Sequence, residues 1–445
     1  MKIVVIGCTH AGTAFTKTVK ELYPDVEVKI FERNDTVSFL SCGIALHIHG
    51  VVEDVNKLFY ASADTLRQLG ADPYMRTEVT AVDLDSKKIK YRKLDTGEEG
   101  EESFDKIMIT TGSWPVIPNV PGVDLEGIKL SKNFYHAKEI KEASKNAKNI
   151  VIVGAGLIGV ELAEAFRANG KEVTLIDLEN RILAKYLDKE FSDEVEDLFV
   201  QNGIKLALGE RVLEFSGNGK VEKVVTDKNE YPADLVILAT GFRPVTEMFK
   251  GQLEMLPNGA IIVDSSMRTS KKDVFAAGDC AAVYFTPAGR YEYIPLATNA
   301  VRMGTIAAIN LFEDRIKYQG TQGTSGVKLF GYNIAATGIT ENWAKSLKLE
   351  VDNVTITEST RPEFMPVYKP VTLKIVYDKK SHIILGAQLI SEEDVTEAIN
   401  TLSIVISKKM TLEELAFSDF FFQPYFNKPW NFVNTTALAG LKKYI

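Results

Sequence analysis

Cysteine is scarce in this sequence, which has three in 445 residues. Cys8, Cys42 and Cys280 are odd in number and far apart, so the disulfide framework of a small secreted domain is not expected. Long apolar runs are also missing, because the longest, IVIVGAGLIGV, falls short of the roughly 20 residues that span a bilayer. The apolar start MKIVVIG is too short for a secretory signal. We therefore expect a cytoplasmic protein in a reducing compartment.

Basic clusters and histidine are sparse as well. The net charge is −8, the pI is near 5.5, and no Lys/Arg block interrupts this acidic balance. We therefore expect neither a nucleic acid nor a membrane as partner. The five histidines lack the spacing of a ligand set, so no metal site is expected. The remaining composition is that of an ordinary globular protein, long enough for two or three domains.

The start of the chain reads as a strand, a glycine turn, a helix and a second strand. KIVVIG is a continuous apolar run, typical of a buried parallel strand. Gly7 and Gly12 match the first and third glycines of the dinucleotide fingerprint GxGxxG, with Thr9 in the middle position. A helix is predicted from about Thr13 to Leu22. The next strand ends at Glu32, where a carboxylate can accept hydrogen bonds from both hydroxyls of an adenosine ribose.

A second unit of the same kind carries the complete fingerprint. Its three glycines are Gly154, Gly156 and Gly159. Such glycines let the backbone approach a pyrophosphate, and the following helix N-terminus offers free N–H groups. The next strand, KEVTLID, ends at Asp177, which favours NADH over NADPH because a carboxylate repels a 2′-phosphate. Arg181 and Lys185 are close enough in sequence to weaken that preference.

Further motifs recur in step with the two units. FDKIMITTGSWP and ADLVILATGFRP are both apolar strands that end in Thr-Gly and a proline turn. TSKKDVFAAGDCA places Asp279 after another predicted strand. Internal duplication explains why the same motifs recur in the same order in the two units.

The order of these motifs resembles that of two-dinucleotide-binding-domain flavoprotein reductases. SFLSCG around Cys42, with His10 in the first glycine turn, narrows the resemblance to the NADH peroxidase, NADH oxidase and coenzyme A-disulfide reductase group. GCTHAGT, TTGSWP, RPEFMP and FFFQPYFNKPWN are most similar to bacterial water-forming NADH oxidases, along essentially the whole chain.

The resemblance implies an α/β fold with two Rossmann-like dinucleotide-binding domains plus an α+β C-terminal dimerisation domain. FAD is expected on residues 1–115 and 245–320, which form one discontinuous domain. NADH is expected on residues 116–244, and residues 321–445 form the C-terminal interface domain.

The resemblance also implies the cofactor-binding residues. FAD is expected to contact Gly7, His10, Ala11, Gly12, Glu32, Arg33, Cys42, Thr111, Gly112, Lys132, Asp279 and Ala297. NADH is expected to contact Ile158, Asp177, Tyr186 and Gly241. The predicted set is completed by Thr9, Ser113, Gly154, Gly156, Gly159, Pro295, Leu296 and Gly326. Leu157 departs from the group, which often has a tyrosine there that shields the flavin until NADH enters.

Cys42 is a candidate redox centre. Related disulfide reductases have two cysteines separated by four residues, and His47 stands in the second place here. Cys42 must therefore act alone or with an external thiol. CGIALHIHG predicts a helix start, where the macrodipole favours a thiolate. Beside a flavin, such a thiolate suits a cycle in which peroxide oxidises it to sulfenic acid and the flavin reduces it back.

His10 is the second catalytic candidate. At a helix N-terminus the positive potential favours the neutral ring, and beside Cys42 the ring could act as a general acid–base. The alternative is a structural histidine, which is the expectation for His47 and His49. For Cys8 and Cys280 we expect packing roles, the usual fate of a buried cysteine.

The last third of the sequence predicts a different kind of domain. From about Gly320, strands VTLKIVYD and HIILGAQLI are followed by a helix, DVTEAINTLSIVISKKM. Seven aromatic residues then cluster near the end: Phe417, Phe420, Phe421, Phe422, Tyr425, Phe426 and Trp430. An exposed apolar patch of this size indicates a homodimer interface, with an internal core as the alternative. The resemblance implies that this segment reaches the partner's active site.

The resemblance implies the reaction 2 NADH + 2 H⁺ + O₂ → 2 NAD⁺ + 2 H₂O. FAD would supply the redox chemistry, and Cys42 would reduce the peroxide formed on the way. Three alternatives stay open. They are an NADH peroxidase acting on H₂O₂, a coenzyme A-disulfide reductase in which Cys42 forms a mixed disulfide, and a redox-sensing flavoprotein with negligible turnover.

Overall fold

The computed structural model describes residues 1–445. The strands are, in chain order, β1 (Lys2–Ile6), β2 (Glu27–Glu32), β3 (Asp72–Met75), β4 (Thr77–Asp83), β5 (Lys88–Lys93), β6 (Glu99–Ser103), β7 (Lys106–Ile109), β8 (Ser113–Pro115), β9 (Ile128–Leu130), β10 (Asn149–Val153), β11 (Glu172–Asp177), β12 (Lys205–Leu208), β13 (Val212–Ser216), β14 (Lys223–Thr226), β15 (Glu230–Pro232), β16 (Leu235–Leu238), β17 (Phe242–Pro244), β18 (Val274–Ala276), β19 (Val283–Phe285), β20 (Arg290–Glu292), β21 (Ser325–Leu329), β22 (Tyr332–Gly338), β23 (Val351–Ser359), β24 (Pro370–Asp378) and β25 (Ile384–Ser391).

The helices are α1 (His10–Leu22), α2 (Ile44–His49), α3 (Ala63–Gln68), α4 (Phe134–Asn146), α5 (Leu157–Ala168), α6 (Lys189–Gln201), α7 (Ala297–Ile309), α8 (Glu341–Ser346), α9 (Glu397–Ser407), α10 (Leu412–Ala416) and α11 (Phe432–Leu441). Short 3₁₀ turns occur at Ser41–Gly43, Val55–Leu58, Glu247–Phe249 and Thr286–Ala288. None of the helices combines the length and hydropathy needed to cross a membrane.

The first nucleotide unit is built on a parallel sheet in the order β18-β7-β1-β2-β3. Its central strand, β1, is almost entirely buried, which explains the continuous apolar run KIVVIG. One edge strand, β18, comes from much later in the chain. Helix α1 packs against α7, which also comes from that later segment.

The second unit repeats this arrangement with the parallel sheet β12-β11-β10-β16-β9. In both units a glycine turn joins the central strand to the next helix in the chain. Gly7 has φ +86°, and a Cβ there would lie 2.4 Å from the Thr110 carbonyl oxygen. Gly154 has φ +114°, and its Cβ would lie 2.3 Å from the Ala239 carbonyl oxygen. The two turns therefore need glycine for the same reason, and the predicted duplication of Rossmann-like units is confirmed.

The C-terminal third forms an antiparallel sheet in the order β21-β22-β25-β24-β23. Helices α9 and α11 pack on it around a core that includes the fully buried Leu373, Tyr377 and Leu389. This confirms the predicted α+β architecture. The aromatic segment between α10 and α11 remains mostly outside this core, and Phe417, Phe421, Tyr425 and Phe426 are each 67% exposed.

Candidate active site

A single large cleft of about 1090 Å³ is lined by the glycine turns of both nucleotide units. Most of the predicted site residues meet there: Gly7, Thr9, His10, Ala11, Glu32, Arg33, Cys42, Thr111, Gly112, Ser113, Lys132, Gly154, Gly156, Ile158, Asp177, Tyr186, Gly241, Asp279, Pro295, Leu296, Ala297 and Gly326. Residues from all three parts of the chain therefore share one cavity.

Gly12 and Gly159, which were predicted to contact cofactor, do not line the cleft. Each faces its own glycine turn instead. A Cβ on Gly12 would lie 2.2 Å from the Gly7 carbonyl oxygen, and one on Gly159 would lie 1.8 Å from the Gly154 carbonyl oxygen. The third glycine of each fingerprint thus allows close packing of helix against strand, which is a supporting role.

The acidic residues that end the second strand of each unit are held by backbone donors. Glu32 is buried, and its carboxylate accepts hydrogen bonds from the backbone N–H of Cys8 at 2.7 Å and of Asn34 at 2.9 Å. Burial raises the pKa of Glu32, and these hydrogen bonds oppose the rise. Asp177 accepts from the backbone N–H of Ala155 and of Glu179. Each carboxylate is thereby held beside the glycine turn of its own unit.

A polar cluster joins the two units at the cleft wall. The Ser113 hydroxyl donates to Asp279 Oδ2 at 2.7 Å. Lys132 Nζ lies 2.9 Å from Ser113 Oγ and 3.2 Å from Asp279 Oδ2. Asp279 is distant from Ser113 in the sequence, but β18, which precedes Asp279, pairs with β7, which precedes Ser113. The cluster offers donors and an acceptor to a polar ligand.

Cys42 lies in the 3₁₀ turn Ser41–Gly43, just before α2, and is exposed to the cleft. The predicted helix therefore starts two residues after the cysteine. The cleft walls still withdraw the sulfur from bulk water, and this desolvation raises the pKa of the Cys42 thiol, with the charge of Glu161 adding to the rise. The backbone N–H groups of Cys42 and Gly43 lower it. The predicted stabilisation of the thiolate is present, but in this chain burial outweighs it.

His10 is the first residue of α1 and lines the same cleft. Burial is the main cause that lowers its pKa, so the ring is neutral near pH 7. The neutral ring was predicted, although from the helix N-terminus rather than from burial. The Nδ1 atom lies 2.9 Å from Tyr60 Oη, and the two rings stack with planes 5° apart. Sequence reasoning missed Tyr60, because no local pattern connects it to the glycine turn.

The remaining cysteines and His47 have the structural roles that were predicted. Cys8 and Cys280 are both 0% exposed, and burial raises their pKa to about 12 and about 11. His47 is buried, with Nδ1 2.8 Å from the Val52 carbonyl oxygen. Cys42 is therefore the only cysteine that lines the cleft.

Two further cleft residues were missed by the sequence analysis. Glu161, one turn after Leu157 on α5, has its pKa raised to about 7 by burial and by the neighbouring Glu164. Trp114 packs under the Arg33 guanidinium at 5.0 Å. For Glu161, the one sequence signal was its position just after the second glycine fingerprint, which would place it near the bound nucleotide.

The cleft is large and offers backbone groups suited to nucleotide cofactors. Typical small-molecule sites occupy about 300–1,000 Å³, and this cleft exceeds that range. Neither Thr9 nor Gly156 forms a side-chain cap on the helix that follows it, so the first N–H groups of α1 and α5 are available to phosphate oxygens. A Cβ added to Gly156 or Gly241 would meet no protein atom within 4 Å, so the backbone there is open to a ligand.

Two Rossmann-like units facing one cleft, with a solitary cysteine in it, define a pyridine nucleotide-dependent flavoprotein oxidoreductase. A family model described as pyridine nucleotide-disulphide oxidoreductase matches residues 1–304, and a model of the dimerisation domain of that family matches residues 324–431. The chain therefore belongs to the pyridine nucleotide-disulphide oxidoreductase family, whose cofactors are FAD and a nicotinamide dinucleotide.

The chain is similar to several named proteins along its full length. An NADH oxidase of Enterococcus faecalis is 50% identical over 444 residues, which cover 99% of this chain and 100% of that protein. The solved water-forming NADH oxidase of Lactobacillus brevis, bound to NADH, is 46% identical with a TM-score of 0.98, covering 100% of this chain and 98% of that one. A coenzyme A-dependent NAD(P)H sulfur oxidoreductase of Pyrococcus furiosus is 34% identical over 434 residues, which cover 97% of both.

Proposed function

We propose that this protein is an FAD-dependent NADH oxidase that reduces O₂ to water and uses Cys42 as a thiolate/sulfenic acid centre. One observation carries the proposal: a single cysteine is exposed in the cleft that both glycine turns line, while the other two are buried. The similarity to named NADH oxidases supports the overall reaction. It does not bear on the role of the cysteine.

When bound, FAD would accept hydride from NADH and pass electrons to O₂ and to an oxidised thiol. We assign the first unit, residues 1–115 and 245–320, to FAD and residues 116–244 to NADH. The helix N-termini would hold the pyrophosphates, and Glu32 and Asp177 would each bind an adenosine ribose. The Ser113–Lys132–Asp279 cluster would bind polar groups in the middle of the FAD molecule.

Cys42 would complete the reduction of peroxide in two balanced steps. In the first, the thiolate attacks one oxygen of H₂O₂ and the O–O bond breaks, so that R–S⁻ + H₂O₂ → R–SOH + OH⁻. His10 would donate a hydrogen bond to the departing oxygen as negative charge develops on it. In the second, R–SOH + 2 e⁻ + H⁺ → R–S⁻ + H₂O, with the electrons supplied by a second NADH.

The sulfur must ionise before it can attack. Because desolvation raises the pKa of Cys42 in this chain, the N–H groups of Cys42 and Gly43 have to be aided by the bound cofactor or by a proton acceptor in the cleft.

We assign the exposed aromatic segment, residues 417–430, to a homodimer interface formed by residues 321–445. Soluble monomers rarely leave so many large apolar side chains exposed together. The match of residues 324–431 to a dimerisation domain supports this assignment.

The experiment that tests the function measures NADH consumed per O₂ in an oxygen electrode, with and without catalase. Two NADH per O₂, unchanged by catalase, is the expected result for the wild type. Cys42→Ser should keep oxidising NADH but release H₂O₂, so the ratio should fall to one. A Cys42→Ser enzyme that still forms only water would exclude the sulfenate role. Anaerobic NADH consumption with H₂O₂ alone, or with coenzyme A disulfide alone, identifies the two rival activities.

A further inference from the structure

Tyr60 contacts Nδ1 of His10, the ring nitrogen that takes no part in the proposed reaction. His10 Nδ1 lies 2.9 Å from Tyr60 Oη, so Nε2 is the ring nitrogen left to face the cleft. The two rings are near-parallel with centroids 5.8 Å apart, and the hydrogen bond at Nδ1 holds the orientation of the imidazole. Tyr60 does not itself line the cleft and so acts from behind the histidine.

The segment that carries Tyr60 is joined to the segment that carries Cys42. The Leu40 backbone N–H donates to the Leu58 carbonyl at 2.9 Å, and Phe39 pairs with Phe59 as an antiparallel bridge. Ser38 Oγ also accepts a hydrogen bond from the Tyr60 backbone N–H at 3.2 Å. One short ladder therefore sets the positions of the reactive sulfur and of the hydroxyl behind His10.

The charges at the site decide which partner donates. A neutral imidazole has one N–H and one lone pair, so the hydrogen bond at Nδ1 fixes what Nε2 presents. If Nδ1 donated to Tyr60, the lone pair of Nε2 would face the thiolate and the oxygen lone pairs of peroxide, which is repulsive. If Tyr60 donates, Nε2–H faces them, which is attractive. Burial raises the pKa of Tyr60 to about 12, so the phenol keeps the proton it needs for this role.

We propose that Tyr60 is a positioning residue whose hydroxyl donates to Nδ1 of His10 and holds the ring as its Nε2–H tautomer. This proposal rests on the proposed function, in which Nε2–H then donates to the peroxide oxygen that departs when Cys42 attacks the O–O bond. Asp279 and Lys132 also act on His10, but with opposite signs. Tyr60 is therefore the neutral group that selects the tautomer.

The first test observes the tautomer directly. The holoenzyme is labelled with ¹⁵N-histidine, and His10→Asn identifies the His10 signals among the five histidines. We expect ¹⁵N shifts of an Nε2–H ring in the wild type and of a tautomer mixture in Tyr60→Phe. An Nδ1–H ring in the wild type, or no change in Tyr60→Phe, would overturn the proposal.

The second test separates positioning from a general structural effect. In anaerobic stopped flow, NADH-reduced Tyr60→Phe should react with H₂O₂ about tenfold more slowly, the rate equivalent of one hydrogen bond. Flavin reduction by NADH should stay within about twofold of the wild type, because Tyr60 lies outside the cleft. In a His10→Asn background, Tyr60→Phe should cause no further loss. Independent, multiplicative losses would contradict an action through His10.

The matched control is Tyr284→Phe, because Tyr284 is 40% exposed and Tyr60 is 41% exposed. It should change neither rate. If Cys42→Ser leaves the water stoichiometry intact, the proposed function fails, whereas the ¹⁵N experiment still decides the role of Tyr60. The two failures are therefore distinguishable.

Discussion

Lys374 forms a buried ionic cluster that connects the second nucleotide unit to the C-terminal domain. Replacing this lysine should lower the free energy of unfolding. The side chain is 1% exposed, and Nζ lies 3.1 Å from Asp188 Oδ2 and 2.5 Å from both Glu190 Oε1 and Glu341 Oε2. Burial alone would lower the pKa of Lys374. The hydrogen bonds to the two glutamates and the nearby negative charges together raise it by more, so the net shift is upward and the amine is charged. The cluster joins β24 to the start of α6, close after Tyr186.

Lys374→Met keeps most of the volume of the side chain and removes its charge. Breaking a buried ion pair by removing one partner costs about 3–5 kcal/mol. Here the lower end applies, because Glu190 and Glu341 are 45% and 26% exposed and can turn to solvent. Asp188 is 4% exposed and cannot, but its carboxylate keeps Gln388 Nε2 at 2.7 Å. We therefore expect a loss of about 3 kcal/mol in the free energy of unfolding.

Equilibrium urea unfolding of the holoenzyme, followed by tryptophan fluorescence, measures this loss. Lys369→Met is the matched control, since Lys369 precedes β24 and pairs with Glu392 at the surface, where the two side chains are 43% and 39% exposed. The control should lose less than about 1 kcal/mol. Equal losses in the two variants would show that the buried ionic cluster adds no more stability than a surface ion pair.

Three other variants test the cleft and the exposed aromatic segment. Asp177→Ser should shift the kcat/KM ratio at least about tenfold towards NADPH, because the carboxylate that repels a 2′-phosphate is gone; an unchanged ratio would remove its role in selectivity. The pKa of Glu161 is raised to about 7, so the folded protein loses stability as pH rises from about 4.5 to about 7. Glu161→Gln should therefore have the stability of the wild type at pH 4 but be more stable by about 3 kcal/mol at pH 8, whereas a gain confined to low pH would reverse the sign. Phe421→Glu, at a site 67% exposed, should give monomers in sedimentation equilibrium, whereas Val51→Glu, at a site 66% exposed, should not; a dimeric Phe421→Glu protein would place the interface elsewhere.

The sequence predicted the parts of the structure that local patterns encode. The turns at Gly7 and Gly154 were recognisable because a positive φ and close backbone contact demand glycine. The exposed aromatic segment was equally visible, since its composition does not depend on what packs beside it.

Contacts between distant segments were not predictable in the same way. Tyr60 contacts His10 because the segments around Phe39 and Phe59 pair with each other. No local sequence motif indicates that pairing. The helix start predicted a lowered pKa for the Cys42 thiol. Desolvation by the whole cleft outweighs that local effect and raises the pKa. Lys374 likewise reads as a surface lysine until β24 is placed against α6.

Peptide mass spectrometry shows directly whether Cys42 is the one cysteine that takes up oxygen from peroxide during the cycle. The holoenzyme, with Cys42 as the thiol, the flavin oxidised and no NADH present, would receive one equivalent of H₂O₂ under anaerobic conditions, in the presence of a sulfenic acid trap. We expect trapped sulfenic acid on Cys42 and none on Cys8 or Cys280, which are 0% exposed. An unmodified Cys42, with the peroxide nevertheless reduced to water, would exclude the sulfenate role.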